Sequence, residues 1–178
     1  MMLTLRNNSR LLLTSLVVGY IFVQLIWQHL TSGVPKHYVL NDPSLPAISN
    51  WWGLIILPIF TWFLTTFLTK QYGDVYPRKV WLQLLGAGVY ALVISILFYS
   101  GYVELLSMLV LPTIIMAALF LPIYQPPFLL GYALVSSVGF GAVLPLIGGL
   151  VFTAIAYVVY NVIRPLPIYL LKLVSKSK

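Results

Sequence analysis

The sequence has no cysteine and few charges. Without cysteine there can be no disulfide, no thiolate nucleophile and no thiolate-held metal. Acids are the scarcest charged type, with Asp42, Asp74 and Glu104 making up the 3 Asp and Glu of the chain. They stand against 10 Lys and Arg, for a net charge of +7. Charged residues are 7% of the 178 and hydrophobic ones 61%. Soluble domains carry roughly 25% and 45–50%. So few charges cannot cover a soluble body of this size. The composition therefore excludes an ordinary soluble domain and a disordered tail protein, leaving an all-α, polytopic integral membrane bundle. The basic excess does not imply nucleic acid, because no basic surface interleaved with aromatics is present. It reads instead as span-flanking charge.

A span needs about 20 apolar residues, so about six fit, with no room for a folded domain outside the membrane. The hydrophobic runs place them at 11–27, 51–69, 80–98, 102–121, 128–143 and 145–163, within a single membrane domain over 1–178. Arg6 and Arg10 precede the first run, which lacks a small-x-small cleavage site and reads as a retained anchor. Residues 28–50 form the longest loop, with Pro35, Pro43, Pro46, both histidines, Lys36 and Asp42. The stretch from Phe128 to Ile163 is uncharged and too long for one span, and it divides at Gly139-Phe140-Gly141. The tail 164–178, with Lys172, Lys176 and Lys178, reads as an interfacial helix on an anionic leaflet.

Arg10, Lys70, Arg78, Lys79, Arg164 and the tail lysines fall at alternate connections, whereas the others hold only Lys36. The positive-inside rule then places both termini in the cytoplasm and the chain in the cell (inner) membrane. Trp27, Trp51 and Trp52 mark the outer interface and Trp81 the inner one.

No Asp, Glu, Lys, Arg or His lies near the middle of a proposed span. Such residues are the usual mark of proton relays, ion-coupled sites and buried acid–base catalysis. Glu104, one turn inside span 4, reads as a carboxylate favoured by the helix dipole or as a ligand contact at the outer mouth. His29, His37 and Asp42 share the outer loop and are competent metal ligands, although no helical His pair is present. Residues 46–53 are the most distinctive string. Ser49 or Asn50 can cap span 2 and Trp51 and Trp52 can anchor it. Alternatively, Asn50 and the indoles, with Gln24, line an outer binding pocket beneath a lid-like loop. No cofactor is implied.

Polar residues recur at helical spacing: Tyr20, Gln24 and Gln28; Thr61, Thr65 and Thr69; Thr153, Tyr157 and Asn161. Gln83 and Tyr90 add to them on span 3. Such stripes are expected to face the bundle interior, bonding other helices or lining a path. Small residues at Ala87, Ala91 and Ser95 and at Ala133, Ser137 and Gly141 read as close-packing stripes. Val110-Leu111-Pro112 recurs as Val143-Leu144-Pro145, a match that apolar abundance can supply by chance.

In length and span number the chain is similar to the substrate-binding subunits of energy-coupling-factor vitamin transporters, which also place an outer loop over a pocket. It departs from them in the first span, where Leu11 to Trp27 contains no Ala and hence no Ala-x-x-x-Ala coupling pair. The leading functional expectation is binding or passage of a small neutral or weakly polar solute through an uncharged bundle. The alternatives are a non-catalytic subunit docking to a membrane protein partner or to its own copies, and an outer-leaflet lipid-modifying enzyme.

Overall fold

The computed structural model describes residues 8–38 and 42–167. Its long elements are α-helices: α1 (Ser9–Thr31), α2 (Gly53–Tyr72), α3 (Arg78–Tyr99), α4 (Val103–Phe120), α5 (Pro126–Phe140) and α6 (Val143–Val158). A 3-10 turn, Asn50–Trp52, leads into α2, and a π turn, Val159–Ile163, extends α6. Counting these extensions, 5 helices among the described residues are long and apolar enough to cross a membrane. Their outward faces carry large apolar side chains such as Val23, Leu30, Ile59, Met108 and Phe120. That much apolar surface is disfavoured in water and stable in lipid, where each helix satisfies its own backbone groups. The chain is thus a multi-pass helical bundle of the bilayer.

The exception in length is α5, with 15 residues. At 1.5 Å per residue it rises about 22 Å, short of a hydrocarbon core of about 30 Å. It is also the central helix, packed on α2, α3 and α6. Glycine makes its junction with α3 tight. A Cβ on Gly131 would run into the Leu84 carbonyl group, and one on Gly88 would lie 3.1 Å from Val135 Cγ2. Small residues thus let two backbones approach closely, as they do in membrane interfaces generally.

The loop between α1 and α2 holds two short strands, β1 (Lys36–Tyr38) and β2 (Ala47–Ser49). They pair antiparallel with His37 opposite Ile48. The first helix also runs one turn beyond the apolar run, to Thr31, before Gly33 turns the chain at φ 81°. A polar stretch thus became helix and hairpin, because local hydrogen bonds satisfied its backbone at the bundle end.

Helix directions alternate, through the hairpin after α1 and short connections thereafter. At one end Ser9 N–H donates to the Asp74 carbonyl at 2.7 Å, Tyr76 N–H donates to Ser9 Oγ at 3.0 Å, and Gln83 Nε2 donates to Gln125 Oε1 at 3.0 Å. Arg10, Lys70, Arg78, Lys79 and Arg164 belong to this end. Arg10 is held there by a 2.9 Å hydrogen bond to Thr66 Oγ1, with its guanidinium 3.6 Å above the Trp62 ring. The hairpin, the start of α4 and the α5–α6 turn form the opposite end. The tail lysines and Arg6 lie outside the described residues.

Pro112 sits in the interior of α4, and Pro145 in the first turn of α6. The repeated Val-Leu-Pro strings therefore hold different helical positions and give no structural repeat.

Candidate functional site

Two places gather polar groups inside the bundle. The first lies under the hairpin. Gln24 Nε2 donates to the Ser137 carbonyl at 3.2 Å, and the Tyr20 hydroxyl donates to the Leu134 carbonyl at 3.0 Å. From α3, the Tyr99 hydroxyl donates to the Gly139 carbonyl at 2.9 Å. These carbonyls belong to the last turns of α5. A helix ending inside the bundle leaves its final carbonyls unpaired. For the last turn neighbouring helices supply donors, so Gln24 and Tyr99 act as caps of a short helix, whereas Tyr20 adds a bond to the Leu134 carbonyl, which also accepts from Ser137 Oγ at 2.6 Å. Gln28 continues the stripe, accepting from Asn50 Nδ2 at 3.3 Å.

Asn50 is only 6% exposed, and its Oδ1 has no partner; Gln24 Oε1 and His37 Nε2 are likewise buried and unpartnered. A Cβ on Gly141 would lie 2.5 Å from Asn50 Oδ1 and 2.8 Å from His37 Cδ2. With φ 73°, Gly141 therefore turns the chain and gives the hairpin a flat seat. The free space beside Gln24, Asn50 and Ser137 is about 10 Å³, no more than one water requires. Burial pushes the His37 imidazole below its ordinary pKa, because the charged form loses hydration.

The sequence-derived site residues divide on this framework. Gln24 and Asn50 come together, joined by Gln28, His37 and Ser137, which sequence spacing did not single out as one cluster. Trp51 and Trp52 are 52% and 56% exposed and do not line the small space. Ser49 rather than Asn50 caps the 3-10 turn, its Oγ accepting from Trp51 N–H at 3.4 Å. Glu104 is exposed in the first turn of α4. His29 is exposed at the end of α1. Asp42 is exposed and folds back on its own turn, its Oδ1 accepting from Ser44 N–H at 2.9 Å and from Ser44 Oγ at 2.7 Å. Those two bonds hold its carboxyl below the usual range, the backbone bond first. No group of three His, Cys, Asp or Glu that could hold a metal occurs among the described residues, so His29, His37 and Asp42 do not converge on one.

Other stripes are spent locally. Thr61 and Thr65 are fully buried and donate to the Leu57 and Thr61 carbonyls of their own helix at 2.8 and 2.7 Å. Asn161 does not face the interior. It is exposed, and its amide donates to the Tyr157 carbonyl at 3.0 Å. Tyr157 packs edge-on to Tyr124 at 5.3 Å.

The second place is a cavity of about 270 Å³ among α3, α4, α5 and α6. It lies where α4 packs more on α6 and its π turn than on α3, to which the Tyr90 and Thr113 hydroxyls tie it at 2.7 Å. Tyr90, Phe128, Tyr132 and Phe152 give it four aromatic walls, and Thr113 and Thr153 add hydroxyls. None of its lining residues is Asp, Glu, Lys, Arg or His. Tyr90, Thr113 and Thr153 lie near the middles of their helices, at the depth of the bilayer centre. Gly86, Thr113 and Leu121 remain exposed at its rim. In the sequence Tyr90, Ala87 and Thr153 stand out only separately, because the gap they share depends on how helices distant in sequence pack.

Comparison with family models, with curated proteins and with solved structures finds no match.

Proposed function

We propose that this membrane bundle binds a small, uncharged and largely apolar molecule in the cavity among α3, α4, α5 and α6. The observation that carries the reading is the cavity itself: about 270 Å³, uncharged, and lined by apolar and hydroxyl side chains. Ligand pockets of about 300–1,000 Å³ are usually apolar with a few placed polar groups, and this one falls just below that range. A charged ligand would meet no counter-charge there, at a large desolvation cost. General acid–base chemistry finds no carboxylate, imidazole or amine in the lining.

On this reading the Gln24–Asn50 cluster is a joint holding the hairpin and the end of α5, and Trp51 and Trp52 are interfacial anchors. The basic residues gathered at one end support a cytoplasmic placement for that end, and with it an inner-membrane orientation.

The test is photolabelling of the protein in lipid nanodiscs with a short, uncharged alkyl diazirine alcohol, mapped by peptide mass spectrometry. Saturable labelling is expected at Thr113, Ala117 and Phe152. It should fall at least about five-fold in Gly86→Phe, which sets a ring at the cavity rim where an added side chain meets open space. Labelling spread evenly over lipid-facing residues, or unchanged by Gly86→Phe, would remove the reading.

A further inference from the structure

We infer that the face shared by α1 and α2 at the basic end of the bundle holds the phosphodiester of an anionic phospholipid, clamped between Arg10 and Lys70. The site is separate from the cavity among α3, α4, α5 and α6, and the inference is independent of that cavity's role.

Arg10 carries the argument. It sits in the first turn of α1, where a long basic side chain ordinarily reaches out to water. Here it turns the other way. Its Nη2 donates to Thr66 Oγ1 at 2.9 Å, and its guanidinium carbon lies 3.6 Å from the centre of the Trp62 ring. From the end of α2 at Tyr72, Thr66 is about 9 Å and Trp62 about 15 Å back along the axis. A cation is thus directed from the headgroup level toward the hydrocarbon, where it is costly unless an opposite charge meets it.

Among the described residues no carboxylate is bonded to it. Thr66 Oγ1 is a neutral partner whose own proton goes to the Trp62 carbonyl at 2.8 Å, and Arg10 Nε is buried with no partner. Asp74, the acid of this end, is exposed in the turn after α2. Lys70, Arg78, Lys79 and Arg164 only add positive charge there.

Helix spacing places the second cation. Trp62, Thr66 and Lys70 recur every four residues and so form one stripe along α2, the stripe on which the Arg10 guanidinium lies. Lys70 is exposed, one turn nearer the headgroups than Thr66. Its Cα–Cβ bond tilts toward Thr66, as helical side chains tilt toward the N-terminus. A phosphate between the two accepts from the guanidinium edge on one side and from the ammonium on the other.

The neighbouring surface selects a lipid over a free phosphate. Trp62, Phe63 and Phe67 are 41%, 58% and 47% exposed, and the two phenylalanines meet edge to face at 5.1 Å. Acyl chains lying along these rings cover apolar surface that a soluble anion would leave bare. Two cations facing one phosphodiester favour a headgroup with no cation of its own, as in phosphatidylglycerol, over phosphatidylcholine.

The experiment is native mass spectrometry of the full chain in a mild detergent. It is titrated with phosphatidylglycerol, phosphatidylcholine and glycerophosphoglycerol (the first headgroup without its chains). The first phosphatidylglycerol is expected to bind at least about five-fold more tightly than phosphatidylcholine. Arg10→Gln should weaken it about ten-fold, and Lys70→Gln about three- to five-fold. Lys79→Gln removes the same charge at the same end but off the stripe, and should change it less than about two-fold. Lys70 is exposed, so its variant tests the clamp without disturbing packing, whatever Arg10→Gln does to folding. Unchanged binding in Lys70→Gln overturns the clamp. Equal losses in Lys70→Gln and Lys79→Gln mean diffuse attraction to the charged end and overturn it as well. Equal binding of the two phospholipids refutes the anionic headgroup. Competition by glycerophosphoglycerol at the concentration of the intact lipid refutes the lipid assignment in favour of a soluble phosphodiester.

Discussion

Adding a single methyl group at Gly131 tests the packing on which the cavity depends. The built Cβ runs into the Leu84 carbonyl oxygen, with the carbonyl carbon at 2.8 Å and Leu84 Cα at 3.1 Å. Ordinary contact begins at 3.4 Å, so α3 must retreat from α5 by at least about 0.6 Å. A backbone cannot rotate aside as a side chain can, so Gly131→Ala incurs an overpacking penalty of about 1–3 kcal/mol. Alanine also helps a helix by about 1 kcal/mol over glycine, which blurs the single measurement. Gly86→Ala supplies the control on the same face of the problem. It lies in α3, and its Cβ would meet nothing within 4 Å. Subtracting one variant from the other cancels the propensity gain and leaves the clash. At about 2–4 °C per kcal/mol, Gly131→Ala should melt about 2–12 °C below Gly86→Ala, followed by fluorescence-detected size exclusion in a mild detergent. Equal melting of the two would refute the close α3–α5 approach and, with it, the cavity geometry.

At the opposite end of α5, Gly141→Ala should loosen the hairpin by about 1–3 kcal/mol, since it adds a Cβ at φ 73° against Asn50 and His37. Faster hydrogen exchange in the β1–β2 pair, with α3 unchanged, is the expected sign, and uniform exchange would count against it. Tyr99→Phe should cost about 1 kcal/mol by leaving the Gly139 carbonyl unpaired, with a matching drop in melting temperature. An unchanged melt would mean that another donor replaces it. Hairpin docking should also depend on pH. His37 is neutral in both docked and undocked states well above its ordinary pKa of 6.5, so docking is at full strength there. As the pH falls through 6.5 the undocked state takes a proton first, and docking weakens down to the lowered pKa of the docked state. Hydrogen exchange corrected for intrinsic rates should show this between pH 7.5 and 5, and His37→Gln should abolish it.

What the sequence made legible follows from which interactions are local. Apolar runs are intrinsic to a segment, so the membrane bundle could be read from composition, and the uncharged stretch after Phe128 could be divided at its glycines. Glycine there does more than interrupt a helix, because Gly141 also seats Asn50 and His37. The hairpin strands are only 3 residues each and carry no alternation long enough to register. The polar stripes were visible, but their partners were not. Gln24 shows why. An amide in a span must find a partner, so the spacing correctly called for bonds to another helix. It could not specify that the partner would be the end of a helix too short to cross the bilayer, whose carbonyls needed donors for the same reason. The short α5 and Gln24 of α1 are therefore two halves of one solution, each costly alone in lipid. Because these donors are engaged in capping, polarity in a span is a poor guide to a binding path in this chain. The cavity is instead bounded by residues that looked like ordinary core: Ala87, Phe128, Leu129 and Phe152. Its signature is a packing gap, lying where α4 leans more on α6 than on α3, and no single segment encodes that gap.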